Sequence, residues 1–146
     1  EAIRWMTTLN RDVARVMVEA GVSAATDVTG YGLLGHLLEM TSPFGLGARV
    51  SMRGVPLLAG ARELLDGGFV PAGTLRNLAG FEPRIRSGVH RTDLTLLCDA
   101  QTSGGLLMSI GPEREQELTR KLDESGLFYA KIGNMTRSGD RVVIEP

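Results

Sequence analysis

Thr26-Asp27-Val28-Thr29-Gly30-Tyr31-Gly32-Leu33-Leu34-Gly35-His36 is the stretch on which the fold reading turns. It joins a short buried strand, predicted over Val22 to Val28, to an apolar helix predicted over Tyr31 to Met40. Between them Gly30-Tyr31-Gly32-Leu33-Leu34-Gly35 spells G-x-G-x-x-G. In a doubly wound α/β domain those glycines would seat a pyrophosphate at the helix N-terminus. That fingerprint wants an apolar strand running straight into glycine and an acid about 20 residues on. Here Asp27-Val28-Thr29 precedes the glycines and the next strand ends at Arg53, a residue suited to a 2′-phosphate. A carboxylate at position 27 repels a pyrophosphate unless a cation intervenes. Two other readings stand beside the dinucleotide site. The glycines can serve tight packing at a helix entry. Alternatively, Asp27 can hold a cation while Thr26, Thr29 and bare backbone N–H groups face phosphate oxygens.

Working outward, Leu9-Asn10-Arg11-Asp12 followed by Val13, Val16, Met17 and Ala20 predicts an Asn-capped helix stopped by Gly21. Ala48 to Arg53 alternates with period two and predicts a half-buried strand. Pro56 is expected to open a helix over Leu57 to Leu65, ended by Gly67-Gly68. Phe69 to His90, rich in Gly, Pro and Arg, is expected to be a long, partly ordered excursion with a short helix around Thr74 to Leu78. Thr92 to Cys98 fits helix or strand. Gly105 to Ile110 is the best strand, and Pro112 to Glu124 an amphipathic helix closed by Gly126. Leu127 to Ile132 and Arg141 to Ile144 are expected to form an antiparallel terminal pair, joined by a turn through Ser138-Gly139-Asp140. Alternating helices and strands with that final pair predict an α+β fold, a mixed β-sheet flanked by helices, in one domain over 1–146.

The 146 residues suffice to bury roughly two-thirds of the unfolded surface. Sixteen basic against seventeen acidic side chains, a formal net charge of -1, give no electrostatic case for nucleic acid or an anionic membrane. No apolar run approaches the ~20 residues of a membrane span. Cys98 is the single cysteine, which excludes a disulfide within the chain and makes a reducing cytoplasm the expectation. The chain opens at Glu1 without an initiator Met, inside amphipathic sequence; a fragment of a longer protein is expected, and a processed N-terminus would look the same.

A second run, Asp99-Ala100-Gln101-Thr102-Ser103-Gly104-Gly105, again sets an acid, hydroxyls and glycines ahead of an apolar segment. It reads either as a polar loop making local turns or as a ligand-facing loop. Asp27 likewise has a plain alternative as a helix cap or turn former. His36, deep in its helix, reads as a hydrogen-bonded interior histidine, with metal ligation as the alternative. Cys98 has no neighbouring His or Lys to lower its pKa and reads as a structural thiol. Arg84, Arg86 and Arg91 could meet phosphate or form a solvated loop.

Taken together the two runs resemble the signature segments of the selenophosphate synthetase (selenide, water dikinase) family. Asp27 to His36 is similar to the family's TDVTGFGLLGH, with Tyr31 for Phe, and Asp99 to Leu107 to its DPQTSGGLL, with Ala100 for Pro. Met6-Thr7-Thr8-Leu9-Asn10, Pro56-Leu57-Leu58 and Asn77 also fall where similar residues do. The resemblance implies the C-terminal domain of an enzyme that makes selenophosphate from ATP, selenide and water, releasing AMP and orthophosphate. It implies a homodimer of two-domain subunits, with ATP held largely by the N-terminal half. Asp27 would be this domain's carboxylate on Mg²⁺, with Thr26, Thr29 and Gly30 lining the cleft and Gln101, Thr102 and Ser103 at its rim. The family's reactive Cys or selenocysteine, its essential Lys and its glycine-rich segment have no counterpart here, so this chain is expected to be inactive alone. Alternatives are a related ATP-dependent synthetase of purine biosynthesis or hydrogenase maturation type, or a free-standing nucleotide-binding module.

Overall fold

The computed structural model describes all residues except Ser138 and Asp140. The chain begins with two helices, α1 (Ala2–Thr7) and α2 (Arg11–Ala20), then strand β1 (Ala24–Asp27) and helix α3 (Gly32–Thr41). Strand β2 (Gly47–Ser51) leads to α4 (Ala61–Asp66), α5 (Ala72–Phe81), the short strand β3 (Ile85–Ser87) and α6 (Arg91–Leu97). Strand β4 (Leu106–Ser109), helix α7 (Pro112–Glu124) and strands β5 (Gly133–Thr136) and β6 (Val142–Glu145) complete it.

The architecture is α+β, with the strands divided between two sheets. β1 and β4 form an antiparallel ribbon in which Asp27 stands opposite Leu106. The other four form a mixed sheet in the order β3-β6-β2-β5, with β6 parallel to both β2 and β3 and β5 antiparallel to β2. Helix α3 lies between them. Its residues are apolar on nearly every face, and eight of its ten are buried, which makes it the central packing element rather than a surface helix. Leu34, Leu38, Val50, Leu97, Val142 and Ile144 anchor the main core around it. A smaller cluster, Val16, Ala20, Leu118 and Leu122, closes the interface of α2 with α7. Among the described residues no helix is long and apolar enough to cross a membrane.

Several expectations need correction. The predicted buried strand at Val22 to Val28 is the shorter β1, whose Ala25 and Asp27 face solvent because only one strand and one face cover it. The predicted terminal pair does not exist as such. Residues 127 to 132 form no strand; Phe128 is exposed and its ring meets that of Trp5 at 5.5 Å. β5 begins at Gly133, where a Cβ would overlap the Arg49 carbonyl, so glycine permits the close approach to β2. β5 and β6 then lie on opposite sides of β2 instead of pairing with each other. The predicted turn through Ser138-Gly139-Asp140 falls on Ser138 and Asp140, which lie outside the described residues.

Helix α4 begins at Ala61, later than the predicted Leu57, because Gly60 sits just before it with φ +79 in the left-handed region. The excursion from Phe69 to His90 is more ordered than its composition indicates, holding α5 and β3. Gly73 and Gly80 lower helix propensity there, but Thr74, Asn77 and Leu78 share one buried face. Tertiary contacts decide the segment. Cys98 follows a helix rather than a strand, since His90 Nδ1 accepts the Thr92 N–H and caps α6.

Candidate functional site

The β1–β4 ribbon brings the two glycine-rich runs side by side at one end. The Val28 N–H donates to the Gly105 carbonyl at 2.9 Å, and the Gln101 N–H donates to the Thr29 carbonyl at 3.0 Å. That carbonyl also accepts the Gly32 N–H at 3.0 Å, so it ties both loops to the start of α3. From α5, Asn77 Nδ2 donates to the Gly30 carbonyl at 2.8 Å and to the Cys98 carbonyl at 3.1 Å. Thr74 Oγ1 donates to Asp99 Oδ1 at 2.9 Å while accepting the Ala100 N–H at 3.0 Å. Asn10, expected to cap α2, instead sends Nδ2 to the Gly104 carbonyl at 3.0 Å. Backbone carbonyls of both loops are thus satisfied by side chains from elsewhere, which fixes their shape.

The glycines divide into two kinds. Gly32 has φ +68, and a Cβ there would lie 2.7 Å from the Cys98 carbonyl carbon and the Asp99 oxygen. A Cβ on Gly35 would lie 2.6 Å from both the Phe81 ring and the Tyr31 Cβ, and one on Gly104 would overlap the Val28 carbonyl. These three let chain segments touch. Gly30 and Gly105 have neither a positive φ nor any neighbour within 4 Å of an added Cβ. Nothing described in the chain requires glycine at these two positions; the space beside them is open.

Asp27 ends β1 with its carboxylate exposed, and among the described residues it accepts no hydrogen bond and forms no ion pair. It is therefore not a helix cap; α3 starts at Gly32, and its N-cap residue Tyr31 makes no side-chain cap hydrogen bond. Thr26 is half-buried opposite Leu107, its Oγ1 3.3 Å from the Asp27 carbonyl oxygen. Thr29 Oγ1 lies 3.2 Å from His36 Nε2, and His36 Nδ1 lies 2.9 Å from Glu39 Oε2. His36 is 7% exposed and hydrogen-bonded at both nitrogens. Gln101 and Ser103 are half-buried and Thr102 exposed on the facing loop.

The sequence-predicted residues Thr26, Asp27, Thr29, Gly30, Gln101, Thr102 and Ser103 therefore lie on two neighbouring segments, although Thr26 and Asp27, consecutive in β1, project to opposite faces of the ribbon. Sequence reasoning missed Thr74 as a support of this surface and left Asn77 without a role. Their signal was a polar stripe at i and i+3 inside a glycine-rich helix, which hydrophobic periodicity does not register. The arginine cluster disperses: Arg84 donates to Ser42 Oγ, Arg91 pairs with Glu82 at 2.8 Å, and Arg86 is exposed on β3. Burial, with a smaller contribution from the Glu82 charge, pushes the Cys98 thiol up to about 11. It is a structural thiol rather than a nucleophile.

The G-x-G-x-x-G match is not a dinucleotide fold. That fold needs β1 followed by a crossover to a parallel neighbour, and β1's neighbour is antiparallel. A phosphate-bearing group with its cation is better suited. The unpaired Asp27 carboxylate, the hydroxyls beside it and the open space at Gly30 offer one anionic ligand and room for close backbone approach. Among the described residues there is no group of three or more His, Cys, Asp or Glu that could enclose a metal ion. A cation beside Asp27 would need ligands other than the groups described here.

Residues 4–145 match the family described as AIR synthase related protein, C-terminal domain. The chain belongs to that family. Curated relatives agree: a selenide, water dikinase of Pseudomonas aeruginosa is 50% identical over 131 residues, covering 90% of this chain and 38% of the relative. Selenide, water dikinases of a Geobacter species and of Citrifermentans bemidjiense are 42% and 40% identical, covering 95% and 99% of the chain and 40% and 42% of the relatives. The chain thus spans about two-fifths of the length of the curated relatives it matches. A crystal structure of thiamine-monophosphate kinase from Stenotrophomonas maltophilia superposes with a TM-score of 0.55 at 20% identity, covering 88% of this chain and 33% of the other. That likeness is one of fold alone.

Proposed function

We propose that this chain is the C-terminal domain, a single unit over residues 1–146, of a two-domain selenide, water dikinase. The intact enzyme makes selenophosphate from ATP, selenide and water, releasing AMP and orthophosphate. The observation that carries the reading is that the two runs, Thr26 to Gly30 and Gln101 to Ser103, lie side by side, hydrogen-bonded to each other and braced by Asn77 and Asn10. The same runs carry the resemblance to that family, and relatives bearing that name are 40–50% identical.

Phosphoryl transfer is governed by positioning and by neutralising charge on the transferred group. Neutralisation of phosphate charge is what a bound Mg²⁺ supplies. Asp27 would hold that ion from this side of the cleft. Gly30, with no Cβ, lets the phosphates approach the loop backbone. Thr29 lines the same wall, Thr26 backs it from the other face of β1, and Gln101, Thr102 and Ser103 form the rim on the facing loop. Asn77 and Asn10 engage the Gly30, Cys98 and Gly104 carbonyls, which leaves fewer C=O groups to oppose anionic oxygens, while Thr74 fixes the Asp99 carboxylate and the Ala100 N–H. The remaining metal ligands, the nucleophile and most of the ATP contacts belong to the N-terminal half. The chain is therefore inactive alone, and the working enzyme is a cytoplasmic homodimer.

Phosphorus NMR of the intact protein with ATP, Mg²⁺ and selenide under anaerobic conditions tests this reading. A selenophosphate signal with matching AMP and orthophosphate supports it. ATP turnover without that product moves the substrate to a related synthetase, and no turnover by the folded, intact protein returns the chain to a binding module.

A further inference from the structure

His36 is buried one and a half turns into α3, yet it bridges two groups of different standing. Nδ1 faces the Glu39 carboxylate at 2.9 Å, and Nε2 faces the Thr29 hydroxyl at 3.2 Å. Glu39 is largely exposed, with 56% of its side chain in solvent, whereas Thr29 stands on the loop that carries Asp27. The Tyr31 ring, its centroid 5.6 Å from that of the imidazole, packs against His36. The arrangement runs from solvent, through an interior histidine, to the candidate cleft.

Donor and acceptor roles along this chain follow from the chemistry of its ends. A carboxylate only accepts, so the proton between Glu39 and His36 sits on Nδ1. A neutral imidazole protonated at Nδ1 has its lone pair on Nε2. The only hydrogen that can lie between Nε2 and Thr29 is then the hydroxyl's own. Thr29 spends its single donor on His36 and keeps oxygen lone pairs for whatever occupies the cleft. Its carbonyl, meanwhile, is held by the Gly32 and Gln101 N–H groups, so neither polar atom of Thr29 is free to turn.

We propose that His36 is a positioning residue for Thr29: oriented by Glu39, it takes the Thr29 hydroxyl proton in a hydrogen bond and makes Thr29 face the cleft as an acceptor. An acceptor there suits a divalent cation, or a water bound to one, and not a phosphate oxygen. This revises the expectation that the hydroxyls of the first run all face phosphate. It deepens the proposed function and rests on the reading of Asp27 as a cation ligand. Groups that hydrogen-bond to a metal ligand and fix its orientation are a recurrent support for metal sites, and removing one typically costs about 10–100-fold in metal affinity.

The test uses the intact protein and two readouts, neither requiring turnover. In ¹⁵N-histidine-labelled protein, with the His36 signals assigned by their loss in His36→Gln, the ring should carry its proton on Nδ1 and leave Nε2 unprotonated. A proton on Nε2 overturns the proposal. The second readout is Mn²⁺ affinity in the presence of a non-hydrolysable ATP analogue. Thr29→Val and His36→Leu should each weaken Mn²⁺ binding about 10–100-fold, and the double variant no further. His36→Gln, whose Oε1 can still accept the Thr29 hydroxyl, should retain most of the affinity. Losses that multiply, or unchanged affinity in Thr29→Val, overturn the proposal. Should His36→Leu not fold, Glu39→Met at the exposed end serves instead and should shift the ring proton and weaken Mn²⁺ together. A wild-type protein that binds Mn²⁺ as described but makes no selenophosphate would remove the dikinase reading and leave this one standing.

Discussion

The Asn77 side-chain amide donates to the Gly30 carbonyl oxygen at 2.8 Å across 47 residues of sequence. The same nitrogen reaches the Cys98 carbonyl at 3.1 Å, so one buried side chain joins α5 to both glycine-rich loops. Removing it leaves two loop carbonyls without that donor. Asn77→Ala should lower stability by about 1–3 kcal/mol. Asn77→Asp should cost more, because a carboxylate cannot donate and would face two carbonyl oxygens. Urea unfolding measures both, with the denaturant slope expected to stay constant. Equal stability of Asn77→Ala and wild type would demote this residue to a bystander.

Cys98 offers a test that depends on pH. Its thiol is raised from 9.0 to about 11, chiefly by burial and then by the Glu82 charge. At pH 8 only about one native thiol in a thousand is ionised, so Cys98 should resist iodoacetamide until the protein unfolds. Because the folded pKa is the higher one, unfolding favours ionisation as the pH climbs. The contribution of the buried thiol to stability is whole below pH 9 and is lost between about 9 and 11. Mass spectrometry of the Cys98 peptide and unfolding curves across that window check the two statements. Rapid native alkylation at pH 8 would contradict the burial.

Those two residues also show how far the sequence could be read. The apolar periodicity of Val16, Ala20, Leu118 and Leu122 placed α2 and α7 correctly, because an amphipathic helix writes its buried face in residue type. Leu127 to Ile132 looked like a strand for the same reason, and the inference failed since strand pairing depends on partners distant in sequence. That Gly133 would admit β2 at close range, or that β6 would run parallel to β2, is not encoded locally. At the site, Asp27 and the hydroxyls beside it were legible as chemistry. The polar face of α5 was not, as Thr74 and Asn77 serve loop groups (the Asp99 carboxylate and Ala100 N–H, and the Gly30 and Cys98 carbonyls) that only the fold brings to them. Which glycines let chain segments touch and which face open space was equally hidden, because both kinds look alike in a motif.

The glycines themselves give the sharpest contrast. Gly104→Ala drives a methyl group into the Val28 carbonyl, and the β1–β4 ribbon must shift to accept it. A loss of about 1–3 kcal/mol is expected, as for other overpacked sites. Gly30→Ala meets nothing within 4 Å and has an ordinary φ, so its stability should stay within about 0.5 kcal/mol of wild type or rise slightly. If phosphates approach the backbone at Gly30, its selenophosphate synthesis should nevertheless fall. Thermal unfolding beside steady-state kinetics separates the two. A Gly30→Ala enzyme with normal kinetics would mean that the ligand does not come near this loop.

Asp27→Asn isolates the charge. The side chain is exposed and, among the described residues, unpaired, and the amide has nearly the same shape. Folding should therefore change by no more than about 0.5 kcal/mol. In the intact enzyme the loss of a carboxylate from the cation should lower turnover by about 10²–10³-fold, the scale seen when one electrostatic contact to a transition state is removed. The Mg²⁺ concentration needed for half-maximal rate should rise at the same time, which a purely structural role would not produce. Steady-state assays at stepped Mg²⁺ concentrations make the measurement. If Asp27→Asn turns over normally at wild-type Mg²⁺, the cation is held elsewhere, and the first glycine-rich run must be explained by packing alone.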